Sequence, residues 1–423
     1  MTLPQPTSTF TVPSLHDDLE LDCRIYYPRY RHGENDQQGK QFFGWTFAIV
    51  AHPYASLGGS FDDGVVASVG SMLLQQGIVL GTFNFRGAGD SPGRVSWTGR
   101  AELADYVSLY GFMLCLANAV VSATYAADSA TPTSAPAQQP PARAPTLILG
   151  GYSYGSLIAS CLPSYEIVNS IFAQAGPGST EAEIRSRADK AGRDLSAYFA
   201  MSRSGSIGRG RPSLRVSDID SSPKRNVAMG GYDSSEVASR RISRDSSRVS
   251  FDGEKVRRSL DRVGQRIRAQ VSSSERDSPA ELHTPTVESP RELHSPAGEE
   301  LVKVQTVYLL ISPLLGSVSL ATTMFSRPTF ELRDRKTGRV RIKDTLRQED
   351  KLVDRKTCIV FGTKDVFVAE RKARKWAEGL SARNRQVSWS QIEGAGHFWI
   401  EKGAMDGLLR VVQAWLPSIA DGS

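Results

Sequence analysis

Gly151-Tyr152-Ser153-Tyr154-Gly155 sets a serine between two glycines directly after the apolar run Thr146-Leu147-Ile148-Leu149. That run reads as a strand buried on both faces. Leu157-Ile158-Ala159 and Cys161-Leu162 follow at a spacing that suits a helix. A strand, a sharp glycine-flanked turn and a helix can lift a serine hydroxyl clear of a sheet, where it can act as a nucleophile. The glycines are needed because side chains at those positions would collide with the neighbouring strand and helix. With 37 Gly in 423 residues, such a pentapeptide arises by chance in roughly one chain in three, so its context must carry the argument.

A serine nucleophile needs a base, and the chain offers six histidines: His16, His32, His52, His283, His294 and His397. His283 and His294 lie in a Ser/Pro/Arg-rich stretch, and His16 and His32 in polar N-terminal segments. His397 sits in Glu393-Gly394-Ala395-Gly396-His397-Phe398, a turn that follows the strand-like run Gln386 to Ile392. That late position is where a strand-turn-helix architecture presents its base. His52 then orders the loop it occupies. The acid should fall between Ser153 and His397 in the chain. Asp365 does so, just beyond the carboxyl end of the β-branched run Thr357 to Phe361. A carboxylate there can accept the imidazole Nδ1 proton and stabilise the imidazolium. Asp354 precedes that strand and falls on the wrong side of the sheet. For a developing oxyanion, the backbone N–H of Tyr154 is one donor. Phe47 to Ala51 is an earlier strand that runs into His52-Pro53-Tyr54. Pro53 has no N–H, so Tyr54 is the second donor.

These elements recur together in a known pattern. His52-Pro53 with Gly58-Gly59, Asn84-Phe85-Arg86-Gly87-Ala88-Gly89-Asp90-Ser91-Pro92-Gly93, the Ser153 turn, Gly362 to Val368 around Asp365, and Gly394 to Phe398 stand in that order. The chain resembles the α/β-hydrolase superfamily, and within it a compact branch of bacterial and fungal hydrolases carrying these elements. The resemblance spans roughly residues 45–175 and 304–415. It implies an α/β fold, a mostly parallel central sheet flanked by helices, with Ser153, Asp365 and His397 as a catalytic triad. The chain departs from the pattern by its long insertions.

Gly87-Ala88-Gly89 has the opening of a dinucleotide-binding turn, but the next glycine is Gly93 and Pro92 intervenes. No acidic residue stands at a strand end about twenty residues on, as ribose binding requires, so nicotinamide and flavin are set aside.

The expected organisation is one catalytic domain in two parts, residues 10–199 and 303–418, with a flexible Ala/Pro-rich loop at 126–145. Between the parts, residues 200–302 are rich in Ser, Arg and Pro and too polar to bury a core, which predicts a disordered insertion. Arg240-Arg241-Ile242-Ser243 and Arg257-Arg258-Ser259 match basophilic kinase sites, and Ser222, Ser278, Thr284, Ser289 and Ser295 each precede proline. Protein kinases are therefore expected partners. Val256, Leu260, Val263, Ile267 and Val271 fall on one helical face among arginines, a pattern suited to weak contact of 255–271 with an anionic membrane.

The net charge of +6 comes without a basic patch interleaved with aromatics, which speaks against nucleic acid. No run approaches transmembrane length, and the N-terminal segment is polar. Cys23, Cys115, Cys161 and Cys358 are widely spaced in apolar surroundings, which predicts reduced, buried thiols and a cytoplasmic setting. No Cys or His/carboxylate grouping suggests a metal, and no cofactor is implied. The expected function is that of a serine hydrolase acting on a small-molecule carboxylic ester or thioester. Peptidases and acyltransferases share this machinery, and a catalytically silent scaffold with a regulated insertion is the alternative.

Overall fold

The computed structural model describes residues 2–28, 45–129, 144–203, 301–323, 327–334 and 337–420. The unbroken apolar runs become the middle of a sheet because both faces there are covered, and each residue finds a core whichever way it points. In chain order the elements are β1 (Ser8–Pro13), β2 (Glu20–Tyr26), β3 (Thr46–Ala51), α1 (Gly64–Gln75), β4 (Val79–Phe83) and α2 (Arg100–Ser129). Then come β5 (Thr146–Tyr152), α3 (Tyr154–Ser160), α4 (Tyr165–Ala173), α5 (Thr180–Arg203), β6 (Gln305–Ile311) and α6 (Ser317–Thr322). After these follow β7 (Glu331–Arg333), β8 (Val340–Lys343), α7 (Gln348–Val353), β9 (Thr357–Gly362), α8 (Glu370–Arg383), β10 (Val387–Ile392) and α9 (Ala404–Ala420).

The eight-stranded sheet has the order β1-β2-β4-β3-β5-β6-β9-β10. From β4 to β10 every neighbouring pair is parallel, while β2 runs antiparallel to both β4 and β1. The register aligns Gly151 of β5 with Ala51 of β3, and Tyr152 with Ile311 of β6. The loops after β3, β4, β5, β6, β9 and β10 therefore all leave from one edge of the sheet.

Strand side chains alternate between two cores. Phe47, Ile49, Leu147, Leu149, Leu310 and Ile359 join α2, α3, α4, α5 and α8 on one face. Ala48, Val50, Ile148, Val307, Leu309 and Val360 join α1 and α9 on the other. The expectation of no segment of transmembrane length needs correction, because Arg100–Ala123 of α2 is long and apolar enough to cross a membrane. Most of that segment is buried inside the fold, packed on the sheet and on α5. Its apolar composition is that of a helix covered on nearly all sides.

Three boundaries also differ from expectation. Helix α2 continues through 126–129 and α5 through 200–203, while Leu301 is buried in the core and the Val302 N–H donates to Asn118 Oδ1 at 2.9 Å. Helical hydrogen bonding and core packing carry these ends past the change in composition. The remainder of the expected flexible loop, 130–143, lies outside the described residues, as does 204–300 with its kinase-type sites and the basic segment 255–271. The antiparallel pairs β1–β2 and β7–β8 went unread in the sequence, although Leu21, Cys23 and Ile25 alternate inward with Asp22 and Arg24 outward.

Candidate active site

Strand β5 ends at Tyr152 and α3 begins at Tyr154, so the whole turn falls on Ser153. Its φ of 56° and ψ of −115° are strained for a residue with a Cβ. The turn is held because the Ser153 N–H donates to the Ile311 carbonyl at 2.9 Å. The flanking glycines are obligatory here. A Cβ on Gly151 would lie 2.3 Å from the Gly155 carbonyl carbon, and one on Gly155 would lie 2.4 Å from the Ala51 carbonyl oxygen.

The structure brings Ser153, His397 and Asp365 together from three separate loops. His397 Nε2 is 2.8 Å from Ser153 Oγ, and His397 Nδ1 is 2.7 Å from Asp365 Oδ2. The other carboxylate oxygen, Asp365 Oδ1, accepts the N–H groups of Phe367 at 2.8 Å and Val368 at 3.0 Å. A carboxylate that only accepts fixes the proton on His397 Nδ1, which leaves Nε2 to accept from the serine hydroxyl. All three side chains are buried, with Ser153 at 6 % exposure and His397 at 2 %. Asp354 lies before β9, at the opposite edge, and is exposed.

His52 is buried and fully engaged in its loop. It lies 2.6 Å from the Pro53 carbonyl through Nδ1 and accepts the Phe85 N–H through Nε2 at 2.9 Å. Burial pulls its pKa down to about 4, so it is a neutral strut tying the loop after β3 to the loop after β4. Arg86 extends that strut. Its guanidinium makes a bidentate pair with buried Asp105 of α2 at 2.9 and 2.6 Å and also reaches Asp17 at 3.0 Å. Ser14 Oγ donates to the same Asp105 at 2.6 Å.

The Tyr54 carbonyl accepts the N–H groups of Leu57 and Gly59, which curls the loop after β3 back on itself. The Tyr54 ring meets the Tyr154 ring edge-on at 5.0 Å between centroids. Among the described residues, the backbone N–H groups of Tyr54 and Tyr154 have no protein acceptor. Both are therefore free to donate to a ligand.

Three supporting residues were missed in the sequence. Tyr152 Oη donates to the His397 carbonyl at 2.9 Å, and the Phe367 ring stands edge-on to the imidazole at 4.6 Å. Trp399 donates from Nε1 to Ser312 Oγ at 3.1 Å, deep in the fold. Both partners have left-handed backbones, φ 58° at Trp399 and 45° at Ser312, so this bond pins two strained loops to each other. Tyr152 stands inside the Gly151–Gly155 motif and Trp399 follows the Gly394–Phe398 motif, but only long-range packing reveals their partners.

No protein-family model and no curated protein matches the chain. Solved structures to which it is similar include an α/β serine hydrolase homologue from Coxiella burnetii, at 12% identity and a TM-score of 0.36, covering 98% of this chain and 99% of that one. A serine hydrolase without a lid from Xanthomonas campestris has 13% identity and a TM-score of 0.38, with coverage of 99% and 98%. Est1E from Butyrivibrio proteoclasticus has 10% identity and a TM-score of 0.38, with coverage of 98% and 100%. At such values the fold rests on the strand order itself. With one antiparallel strand leading into a parallel sheet, and residues 153, 365 and 397 on the loops after β5, β9 and β10, the chain has the α/β-hydrolase fold.

Proposed function

We propose that the chain is a serine hydrolase that cleaves a carboxylic ester or thioester through an acyl-enzyme on Ser153. The observation that carries this reading is the unbroken relay from Asp365 through His397 to Ser153 Oγ, at 2.7 and 2.8 Å. His397 Nε2 takes the hydroxyl proton as Ser153 Oγ attacks the acyl carbon, and Asp365 stabilises the resulting imidazolium. The N–H groups of Tyr154 and Tyr54 hold the tetrahedral oxyanion. His397 then passes the proton to the departing alcohol or thiol. In the second half, His397 deprotonates a water that attacks the acyl-enzyme, and Ser153 leaves with the proton restored.

Four buried cysteines without disulfides support work in a reducing compartment such as the cytoplasm. Burial pushes the Cys115 and Cys358 thiols up to about 12, which leaves them inert beside an activated serine. Regulation by kinases acting on 200–302 is part of the same proposal, and phosphosite mapping of that segment tests it.

The test is covalent labelling of the full chain by a fluorophosphonate, beside Ser153→Ala and His397→Ala. Labelling of the wild type alone is expected. A folded wild type that takes no label refutes the reading and favours a catalytically silent scaffold.

A further inference from the structure

Water faces an unusual set of side chains around the nucleophile. In Phe398-Trp399-Ile400 the middle residue is buried and the outer two point outward, with Ile400 83 % exposed. Trp97, on the loop after β4, is 74 % exposed. Leu57 after β3 and Val366 after β9 are each 46 % exposed. Among the described residues only two other large apolar side chains are as exposed, Val340 in β8 and Leu346 just after it. The apolar residues are thus concentrated at the carboxyl edge of the sheet.

Their placement follows from the strand order. β4 and β3 lie on one side of β5, and β9 and β10 on the other. The exposed apolar side chains therefore straddle Ser153 instead of forming a patch to one side. The rim is continuous with the site, since the Phe398 ring lies 5.5 Å from the His397 ring and 5.9 Å from that of Phe367. The same rim carries exposed Arg94, Arg100, Arg327, Lys364 and Lys402, none in an ion pair among the described residues. Arg327 belongs to it because its neighbour Pro328 would lie 3.1 Å from a Cβ on Gly99, in the loop that carries Trp97. Exposed acids on these loops are fewer: Asp90, Glu393 and Glu401, with Asp62 held by Arg24.

We infer that this rim docks the protein on an anionic lipid surface, so that Ser153 opens toward the membrane. Apolar side chains on several loops enter the acyl boundary while the cations meet lipid phosphates. A tryptophan with an apolar body and an N–H suits that interface. A protein partner bridging both flanks would cover Ser153, whereas a lipid phase meets both flanks and delivers substrate between them. The substrate class that follows is an apolar acyl ester drawn from the lipid phase. That last step rests on the hydrolase reading; the docking surface does not.

The test uses the full chain carrying Ser153→Ala, which needs no turnover, sedimented with phosphatidylcholine vesicles with and without about 30 % phosphatidylserine. Binding that favours the anionic vesicles is expected. Adding Trp97→Ser and Ile400→Ser should weaken it at least roughly tenfold. Adding Arg94→Gln and Lys402→Gln instead should reduce the preference for phosphatidylserine. These positions are exposed, and an unchanged melting temperature confirms that the variants fold. The inference is overturned if the parent stays in the supernatant with both vesicles, or if the Trp97/Ile400 variant binds as tightly as the parent. It is equally overturned if those substitutions instead dissolve a dimer of the chain. Fluorophosphonate labelling of the Trp97/Ile400 variant with Ser153 intact reports the hydrolase chemistry separately.

Discussion

Acidification should unlock the strut that holds the candidate oxyanion loop, and His52 is where it begins. The buried ring lies 2.6 Å from the Pro53 carbonyl and 2.9 Å from the Phe85 N–H, so one nitrogen donates and the other accepts. Protonation would set an imidazolium N–H against the Phe85 N–H and bury a charge. Burial accordingly lowers the His52 pKa from 6.5 to about 4. Below pH 6.5 the unfolded chain binds a proton at His52 that the native chain refuses until about pH 4. Stability from this residue is therefore complete above 6.5 and is lost as the pH falls toward 4. The loss is about 1.4 kcal/mol per pH unit within that window, roughly 3 kcal/mol in all. Burial raises the pKa values of Asp22, Asp63 and Glu102, which works in the opposite direction, but those groups are common to any variant at 52. The assay is urea unfolding at a series of pH values for the wild type and His52→Asn, which keeps a donor toward Pro53 and does not titrate. The variant should be less stable at neutral pH, by about 1–3 kcal/mol for the unsatisfied Phe85 N–H, and flatter toward acid. Parallel curves for the two proteins would refute the reasoning.

Two further substitutions probe the supports of the site. Trp399→Phe keeps the buried ring but removes the 3.1 Å bond to Ser312, freeing a strained loop two residues from His397. Steady-state hydrolysis of a soluble ester should show kcat down about tenfold with KM nearly unchanged, and Ser312→Ala should reproduce the effect without adding to it. Arg86→Met leaves the buried Asp105 carboxylate without its 2.6 Å partner and should cost about 3–5 kcal/mol in urea unfolding. Combining it with Asp105→Leu should recover most of that loss.

Short-range order was legible in the chain. The turn at Ser153, Asp365 after Thr357–Gly362 and His397 after Val387–Ile392 each sit within a few residues of a strand whose apolar run announces it. Once those strands are parallel neighbours, as the resemblance implied, their carboxyl ends must meet at one edge, so the approach of Ser153, Asp365 and His397 followed from local pattern together with that sheet order. His52 could be separated from His397 by position for the same reason. The short polar strands β7 and β8 gave no such signal, because little of either is buried. The apolar run of α2 is interrupted by Glu102 and Asp105, which pair with Ser96 and with Arg86 and Ser14 outside the helix, and by Tyr106, whose Oη donates to the Gly150 carbonyl of β5. What only the tertiary structure decided are contacts between residues far apart in sequence. Trp399 meets Ser312, Arg86 meets Asp105 and Tyr152 reaches the His397 carbonyl. Chain spacing carries no information about which buried polar groups will face one another, because that choice is made when loops from different strands pack. The outward turn of Phe398 and Ile400 was decided the same way: Trp399 occupies the interior, and its two neighbours are left at the surface.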